Sequence, residues 1–277
     1  MSGRLFVVAT PIGNLADITL RALRVLGEAD VIAAEDTRTT RKLLAHHGIR
    51  TPLVSYHEHN EVVRTPELLK RMESGETVAL VSEAGTPSIS DPGYRLVSEA
   101  IAAGVAVEPV PGASAILAAV VVSGLPSDSF VFEGFLPRRR TERQRRLESL
   151  KNEARTLVFF EAPHRLDHSL TDLLEVLGDR RVALCRELTK LHEEVRRGTL
   201  TELVAALQRR PVKGEIVLVV EGAKEAAVDL DGAIDEALDR IGKGASLREA
   251  ARDVADERGV PRRALYDRVL QRRKERE

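Results

Sequence analysis

Along the first 123 residues, nearly continuous apolar runs at 5–9, 31–34, 53–55, 78–82 and 105–109 alternate with helix-patterned stretches. Runs of this kind need apolar cover on both faces, and connections long enough to hold helices supply it, so the pattern implies a mainly parallel sheet. Two connecting helices carry end signals. Thr19 is placed to cap a helix whose Leu20, Leu23 and Leu26 recur at helical spacing, with Gly27 expected to stop it. Asp91 reads as an N-cap with Pro92 in the first turn, ahead of Leu96, Val97, Ala100 and Ile101, with Gly104 at the end. After Gly124-Leu125-Pro126 the alternation begins again, with strands expected at 130–135, 156–160, 181–185 and 216–220 and helices from about His164 and Leu200. The expected fold class is α/β, with two such domains at 1–123 and 124–224. Ligands of such sheets bind outside the carboxyl ends of the strands.

Beyond Gly222 the apolar strands cease, and residues 223–229 read as a linker into a purely helical unit at 229–277. Ser246 and Glu249 make a capping box, and Leu247, Ala250, Ala251 and Val254 share one face of the helix it opens. Gly259 supplies a turn, Pro261 fits the first position of a second helix, and Leu265, Val269 and Leu270 stripe that helix. Two short helices about a glycine turn make a helix-turn-helix, here with Arg262, Arg263, Arg268 and Arg272 on or near the second. A hairpin used only for packing has the same pattern.

Net charge is −1, yet it is unevenly spread. Seven basic residues between Arg138 and Lys151 stand against Glu142 and Glu148, and seven in 262–277 stand against three acidic ones. Clusters of this kind are solvated helix faces or phosphate contacts, and two in a nearly neutral chain make a phosphate-bearing partner plausible. Apolar residues make up 43% and charged residues 31%, the balance of a globular protein. No apolar run approaches the ~20 residues that span a bilayer, so no membrane association is expected. The first residues lead straight into a strand without the pattern of a secretory leader, so a cytoplasmic location is expected. The sole cysteine, Cys185, sits in an apolar run and reads as core. His57-Glu58-His59 and the pair His164 and His168 lack a full ligand set, so no metal is expected.

Three loops rich in small residues follow the carboxyl ends of first-domain strands: Thr10-Pro11-Ile12-Gly13-Asn14, Glu83-Ala84-Gly85-Thr86-Pro87-Ser88 and Pro111-Gly112-Ala113-Ser114-Ala115. Small side chains let main-chain groups approach a ligand closely, and the helix beyond each loop turns its positive end toward the same rim. The chain has no G-x-G-x-x-G after its first strand, no G-x-x-x-x-G-K-[ST] and no G-x-S-x-G, which removes the commonest dinucleotide, nucleoside triphosphate and hydrolase sites.

At these loops the sequence resembles the tetrapyrrole methylase superfamily and, within it, the RsmI group of 16S rRNA 2′-O-methyltransferases. The matching stretches include Val8-Ala9-Thr10-Pro11-Ile12-Gly13-Asn14-Leu15, Ala34-Glu35-Asp36-Thr37-Arg38, Ser55-Tyr56-His57-Glu58-His59-Asn60, residues 82–95 and 110–115, Phe160-Glu161-Ala162-Pro163-His164-Arg165, and Arg186-Glu187-Leu188-Thr189-Lys190. Glu83 departs from the Asp expected in most relatives. The resemblance implies two domains with S-adenosylmethionine bound in a cleft between them, usually in a homodimer. It places Thr10, Pro11, Gly13, Ala84, Gly85, Thr86, Ile89, Ser114 and Ala115 at the cofactor, with Phe160 and Leu188 facing the adenosine. For the RsmI group it implies 16S rRNA in the 30S subunit as partner, and the 2′-hydroxyl of cytidine 1402 as target.

Methyl transfer from a sulfonium requires alignment of oxygen, carbon and sulfur, worth on the order of 7 to 11 kcal/mol, and gains further from a base for the weakly acidic hydroxyl. Glu161, His164, Glu187 and Lys190 are the candidates that the resemblance brings to the cleft, and the sequence does not choose among them. Arg38, Arg165 and Arg186 suit RNA phosphates because a guanidinium offers forked donors, and Arg138, Arg139, Arg140, Arg262 and Arg263 extend that surface through the two basic clusters. Two alternatives remain: a small-molecule methylase of the same fold acting on a tetrapyrrole or diphthamide precursor, and a DNA-binding regulator whose α/β part senses a ligand.

Overall fold

The computed structural model describes residues 3–207, 212–224 and 230–274, so positions 225–229 of the expected linker lie outside the described residues. The chain forms two compact units, Met1–Gly222 and Ala223–Glu277. The first begins with β1 (Arg4–Val8), α1 (Leu20–Glu28), β2 (Val31–Ala34), α2 (Thr37–His46), β3 (Leu53–Ser55), α3 (Glu61–Glu73), β4 (Thr77–Val81), α4 (Tyr94–Ala102), β5 (Ala106–Val110) and α5 (Ala115–Ser123). Its strands lie in the order β3-β2-β4-β1-β5, every pair parallel. Because neighbouring residues of a strand face opposite ways, each strand feeds two cores. Val31, Ala33, Val78 and Leu80 pack with Leu68, Met72 and Leu96 on one side, while Ile32, Ala34, Ala79 and Val81 pack with Ala22, Val25 and Leu26 on the other.

Two helix boundaries differ from expectation. The Thr19 hydroxyl does cap α1, accepting from Ala22 N at 3.0 Å, but the helix passes through Gly27 and ends only where Ala29 turns extended to enter the core. α4 starts at Tyr94 behind Gly93, whose φ of 142° no other residue adopts comfortably. Asp91 therefore stands outside the helix, and its carboxyl caps nothing there.

The rest of the unit comprises β6 (Phe130–Phe135), α6 (Arg140–Ser149), β7 (Thr156–Glu161), α7 (Leu166–Leu177), β8 (Arg181–Arg186), β9 (Glu194–Thr199), α8 (Leu200–Leu207) and β10 (Ile216–Val220). The second sheet runs β6-β7-β10-β8-β9; β6 and β7 are parallel, and the other pairs are antiparallel. One face carries α6, α7 and α8 over Leu157, Phe159, Leu184 and Leu218. The other face receives α5: Ala119 and Val120 pack with Val158, Ala183, Cys185, Val217 and Val219. A helix that follows the first sheet in sequence thus roofs the second sheet in space.

Helices α9 (Leu230–Gly242), α10 (Leu247–Arg258) and α11 (Arg262–Lys274) form the second unit around Ala233, Ile234, Ala237, Val254, Leu265 and Val269. The capping box is formed, with Glu249 N donating to Ser246 Oγ at 3.2 Å, and Gly259 ends α10 in the left-handed conformation. Pro261 lies one residue before α11. No helix among the described residues is long and apolar enough to cross a membrane.

The basic segment at 138–151 has a structural task. Arg143, with only 6% of its side chain exposed, meets Asp172 at 2.6 Å and donates to the carbonyls of Pro137 and Arg138. Arg140 bonds both Asp172 and Glu175, and Arg146 makes a forked contact with Glu133. Replacing Asp172 by Ala is expected to leave a buried guanidinium uncompensated and cost about 3 to 5 kcal/mol in equilibrium unfolding, far more than Glu148→Ala on the exposed face.

Candidate functional site

The loops after β1, β4 and β5 meet. Thr10 N donates to Gly85 O at 2.8 Å and Gly85 N returns a bond to Thr10 O at 3.0 Å, while Thr86 Oγ1 lies 3.5 Å from Ala113 O. Across from them, the ends of β7, β8 and β10 close a cavity of about 340 Å³. Its first-sheet wall is Ile12, Ala84, Gly85, Thr86, Ile89, Ser90 and Asp91, with Ser114 and Ala115 at the start of α5. Phe135, Phe160, Glu161, Leu188, Ile216 and Val217 form the other wall. The apolar side can receive a purine ring; the small residues and the α5 N-terminus, where Ser114 accepts from Leu117 N, can receive an amino acid carboxylate. These are the groups that S-adenosylmethionine needs. Cys185 also lines the cavity, and burial pushes its thiol up to about 11, so it stays neutral.

Of the residues expected at the cofactor, Ala84, Gly85, Thr86, Ile89, Ser114, Ala115, Phe160 and Leu188 line this cavity, whereas Thr10, Pro11 and Gly13 do not. They line a neighbouring hollow of about 330 Å³ with Thr39, Lys42, Glu83 and Lys190. The reason is local: the second lobe presses on this loop. Asn14 N donates to Thr189 Oγ1 at 3.2 Å, and a Cβ on Gly13 would stand 2.3 Å from Lys190 Cγ, so this part of the loop packs against the second lobe while Ile12 alone reaches the cavity between the sheets.

The four expected base candidates are differently placed. Glu161 is on the cavity wall, but one oxygen accepts from Ala162 N and faces Arg165, and the other accepts from Ser169. His164 is exposed and on neither wall. Glu187 accepts from Glu215 N at 2.9 Å, which, with Lys190, holds its carboxyl below the usual range and makes it a weak base. Burial works against the Lys190 charge, yet bonds to Glu187 and Glu215 win and raise the ammonium above its ordinary value, so it keeps its proton.

The arginines divide similarly. Arg165 donates to the Leu136 and Pro137 carbonyls, Arg186 to Lys213 O and Glu194, Arg140 to Asp172 and Glu175, and Arg262 makes a forked pair with Asp256. These guanidiniums brace the fold. Arg38 is 84% exposed beside Asp36, whose carboxyl its hydrogen bond holds down to about 2. Arg138, Arg139 and Arg263 are exposed as well.

One acidic residue of the site went unassigned in the sequence. Asp91 sits on the cavity wall, and burial, reinforced by the carboxylates of Glu35 and Glu83 and only partly countered by Ser82, pushes its carboxyl up to about 7. Burial and Glu35 raise Glu83 too. The signal was present as three acids within motif stretches, but Glu35, Glu83 and Asp91 come together only once β2 and β4 pair. Among the described residues there is no group of three His, Cys, Asp or Glu side chains able to hold a metal.

A parallel lobe and a mixed lobe face each other across a cavity at their strand ends, the architecture of a two-lobed α/β ligand-binding protein. A family model described as Tetrapyrrole (Corrin/Porphyrin) Methylases matches residues 4–204, and one described as RsmI C-terminal HTH domain matches residues 228–273. "Ribosomal RNA small subunit methyltransferase I" of Halalkalibacterium halodurans is 50% identical over 271 residues, covering 96% of this chain and 94% of that protein. Its namesake in Thermotoga maritima is 51% identical over 220 residues, 79% of this chain but 99% of that protein, a span close to the length of the first unit. Uroporphyrin-III C-methyl transferase of Thermus thermophilus, solved with S-adenyl homocysteine, superimposes with a TM-score of 0.57 at 22% identity over 79% of this chain and 97% of its own. The chain belongs to the tetrapyrrole methylase family, in the ribosomal RNA small subunit methyltransferase I group, and is a methyltransferase.

The position of Asp91 carries a pH signature. Its folded value near 7 lies above the ordinary 3.8, so the folded chain holds a proton that the unfolded chain gives up between those values. Its contribution to stability is full below about pH 4 and is lost as pH rises through 7. Asp91→Asn, which cannot ionise, is expected to raise Tm relative to the parent at pH 8 and to have little effect at pH 4, in thermal scans read by circular dichroism.

Proposed function

We propose that this methyltransferase moves a methyl group from S-adenosylmethionine to the ribose 2′-hydroxyl of cytidine 1402 in 16S rRNA during small-subunit maturation in the cytoplasm. The observation that carries the reading is the cavity between the sheets, with small-residue loops and a helix N-terminus on one side and Phe160 on the other. The near full-length identity to proteins named for ribosomal RNA of the small subunit supports the acceptor.

When bound, the cofactor supplies an electrophilic methyl carbon on a good leaving group, and the chain's own residues orient, enclose and discharge. Ser114 and the first amides of α5 would hold the amino acid end, the Gly85 main chain and Ile89 would close over the centre, and Phe160, Leu188 and Ile216 would exclude water around the purine. Exposed Arg38, Arg138 and Arg139 contact phosphates, joined on the helix-turn-helix by Arg263. Leu117 and Val121, 55% and 75% exposed on a helix apolar throughout, favour a homodimer built on α5.

Incubation with labelled S-adenosylmethionine and 30S subunits lacking the modification tests the reading. The expected product is a single 2′-O-methylcytidine; label on a base, on DNA or on no RNA overturns it. Arg138→Glu with Arg139→Glu is expected to weaken 30S binding and to lower the slope of log affinity against log salt by about 1 per lost phosphate contact, with donor affinity unchanged.

A further inference from the structure

We propose that Asp91 is the catalytic base, taking the proton of the acceptor hydroxyl at a wall shared by the donor cavity and a groove that admits the acceptor nucleotide. The inference rests on the proposed reaction and adds to it the residue that discharges the hydroxyl.

Position comes first. Asp91 lines the cavity between the sheets, and it also lines an open groove with Glu61, Pro92, Tyr94, Arg95 and Ser98. It therefore borders both spaces, the one assigned to the donor and the one that would admit the acceptor. In the groove, Tyr94 is 78% exposed, an aromatic face on which an unstacked base can lie, while Arg95 is held by Glu61 and Glu99.

The loop is held for this purpose. Ser88 and Ser90 both adopt left-handed backbone, with φ of 70° and 66°, a cost that persists where surrounding structure enforces it and that gathers at functional sites. Tight packing enforces it here. A Cβ on Gly93 would stand 2.5 Å from Ser88 Oγ and 2.9 Å from Leu80, and one on Gly134 in the opposite sheet would stand 3.3 Å from Ser90 Oγ. Asp91 thus lies between the constrained Ser90 and Gly93, while its carboxyl takes no part in capping α4.

The surroundings suit a base. Glu35 after β2 and Glu83 after β4 face it with negative charge, and Ser82 offers a hydroxyl. From α3 and α4, Glu61 and Glu99 engage Arg95; on the second-sheet side of the cavity Glu161 faces Arg165 and Glu215 pairs with Lys190, so both are compensated. Burial together with Glu35 and Glu83 makes the proton affinity of Asp91 high for a carboxylate. In the step itself the hydroxyl oxygen bonds to the methyl carbon and its proton passes to Asp91. The carbon–sulfur bond breaks with its electron pair leaving on sulfur as a neutral thioether, and Asp91 later releases the proton to water. Charge balances: a cationic sulfonium and a carboxylate become a thioether and a carboxylic acid.

Two experiments test this. Single-turnover methylation of 30S subunits by Asp91→Asn is expected to fall by about 10²- to 10⁴-fold. S-adenosylhomocysteine affinity should be retained, and the parent's loss of kcat/KM below pH 7 should disappear from the residual activity. Retention of the parental rate or of its pH profile overturns the assignment. The second uses the unaltered enzyme: a cationic donor beside Asp91 should expel its proton. S-adenosylmethionine titrated at pH 7 in buffers of different ionisation heat should therefore release protons, whereas the uncharged thioether product should not. Equal proton release by both ligands overturns the assignment even if the variant misfolds. If the parent enzyme leaves the ribose of 30S RNA unmethylated, the proposed function fails; if it methylates and the Asn variant does so equally, only the role of Asp91 fails.

Discussion

The packing of α5 on the second sheet is the contact from which the site follows. Ala119 and Val120 meet Val158, Ala183, Cys185, Val217 and Val219, and Ile12 from the β1 loop and Leu188 from the facing lobe join the same cluster. Nine successive helical residues, Ala-Ile-Leu-Ala-Ala-Val-Val-Val-Ser, contain no charge, so the helix can be covered on more than one side. Because α5 begins at Ser114, directly after the β5 loop, anchoring it on one sheet fixes its N-terminus between both. The cavity is what remains where the two sheets' strand ends face each other around that anchored helix start.

Charge is distributed with the same division of labour. The basic side chains of α6 are largely consumed by Asp172, Glu175 and Glu133 on the far face of the second sheet, where they lock α6 to α7 and β6. Inside the site the balance is reversed. Glu35, Glu83 and Asp91 crowd one end, an arrangement that repels anions, raises proton affinity and favours a cationic ligand. A sulfonium is such a ligand and a thioether is not, so under the proposed reaction this field would hold the donor more strongly than its product.

Much of the architecture was legible because periodicity and packing agree. The parallel sheet followed from runs such as Val31-Ile32-Ala33-Ala34, whose every residue is buried, and the Ser246 capping box formed as spaced. β9, Glu-Val-Arg-Arg-Gly-Thr, was not legible: it is a sheet edge held by Glu194 to Arg186 and Arg196, and pairs of this kind appear only when strands align. Gly27 misled because a glycine stops a helix only if the next residues have no reason to continue it, and Ala29 rather than Gly27 was needed in the core. Of the candidate cavity's lining, the Ala84 to Ile89 loop and Ser114, Phe160 and Leu188 were readable as motifs. Thr10 and Gly13 line the neighbouring hollow together with Lys190, which lies far away in sequence. Asp91 carried the strongest local cap signal in its segment, and that signal concealed a carboxyl turned to the cavity.

The account depends on the cavity between the sheets being the donor site. Calorimetric titration of the purified full chain with S-adenosylhomocysteine at several temperatures tests this most directly. One molecule bound per chain, with the negative heat-capacity change of apolar burial against Phe160, Leu188 and Ile216, is the expected result. No uptake by folded protein would contradict it, as would binding undisturbed by Gly85→Val, a β-branched residue placed where φ is 79° on the cavity wall.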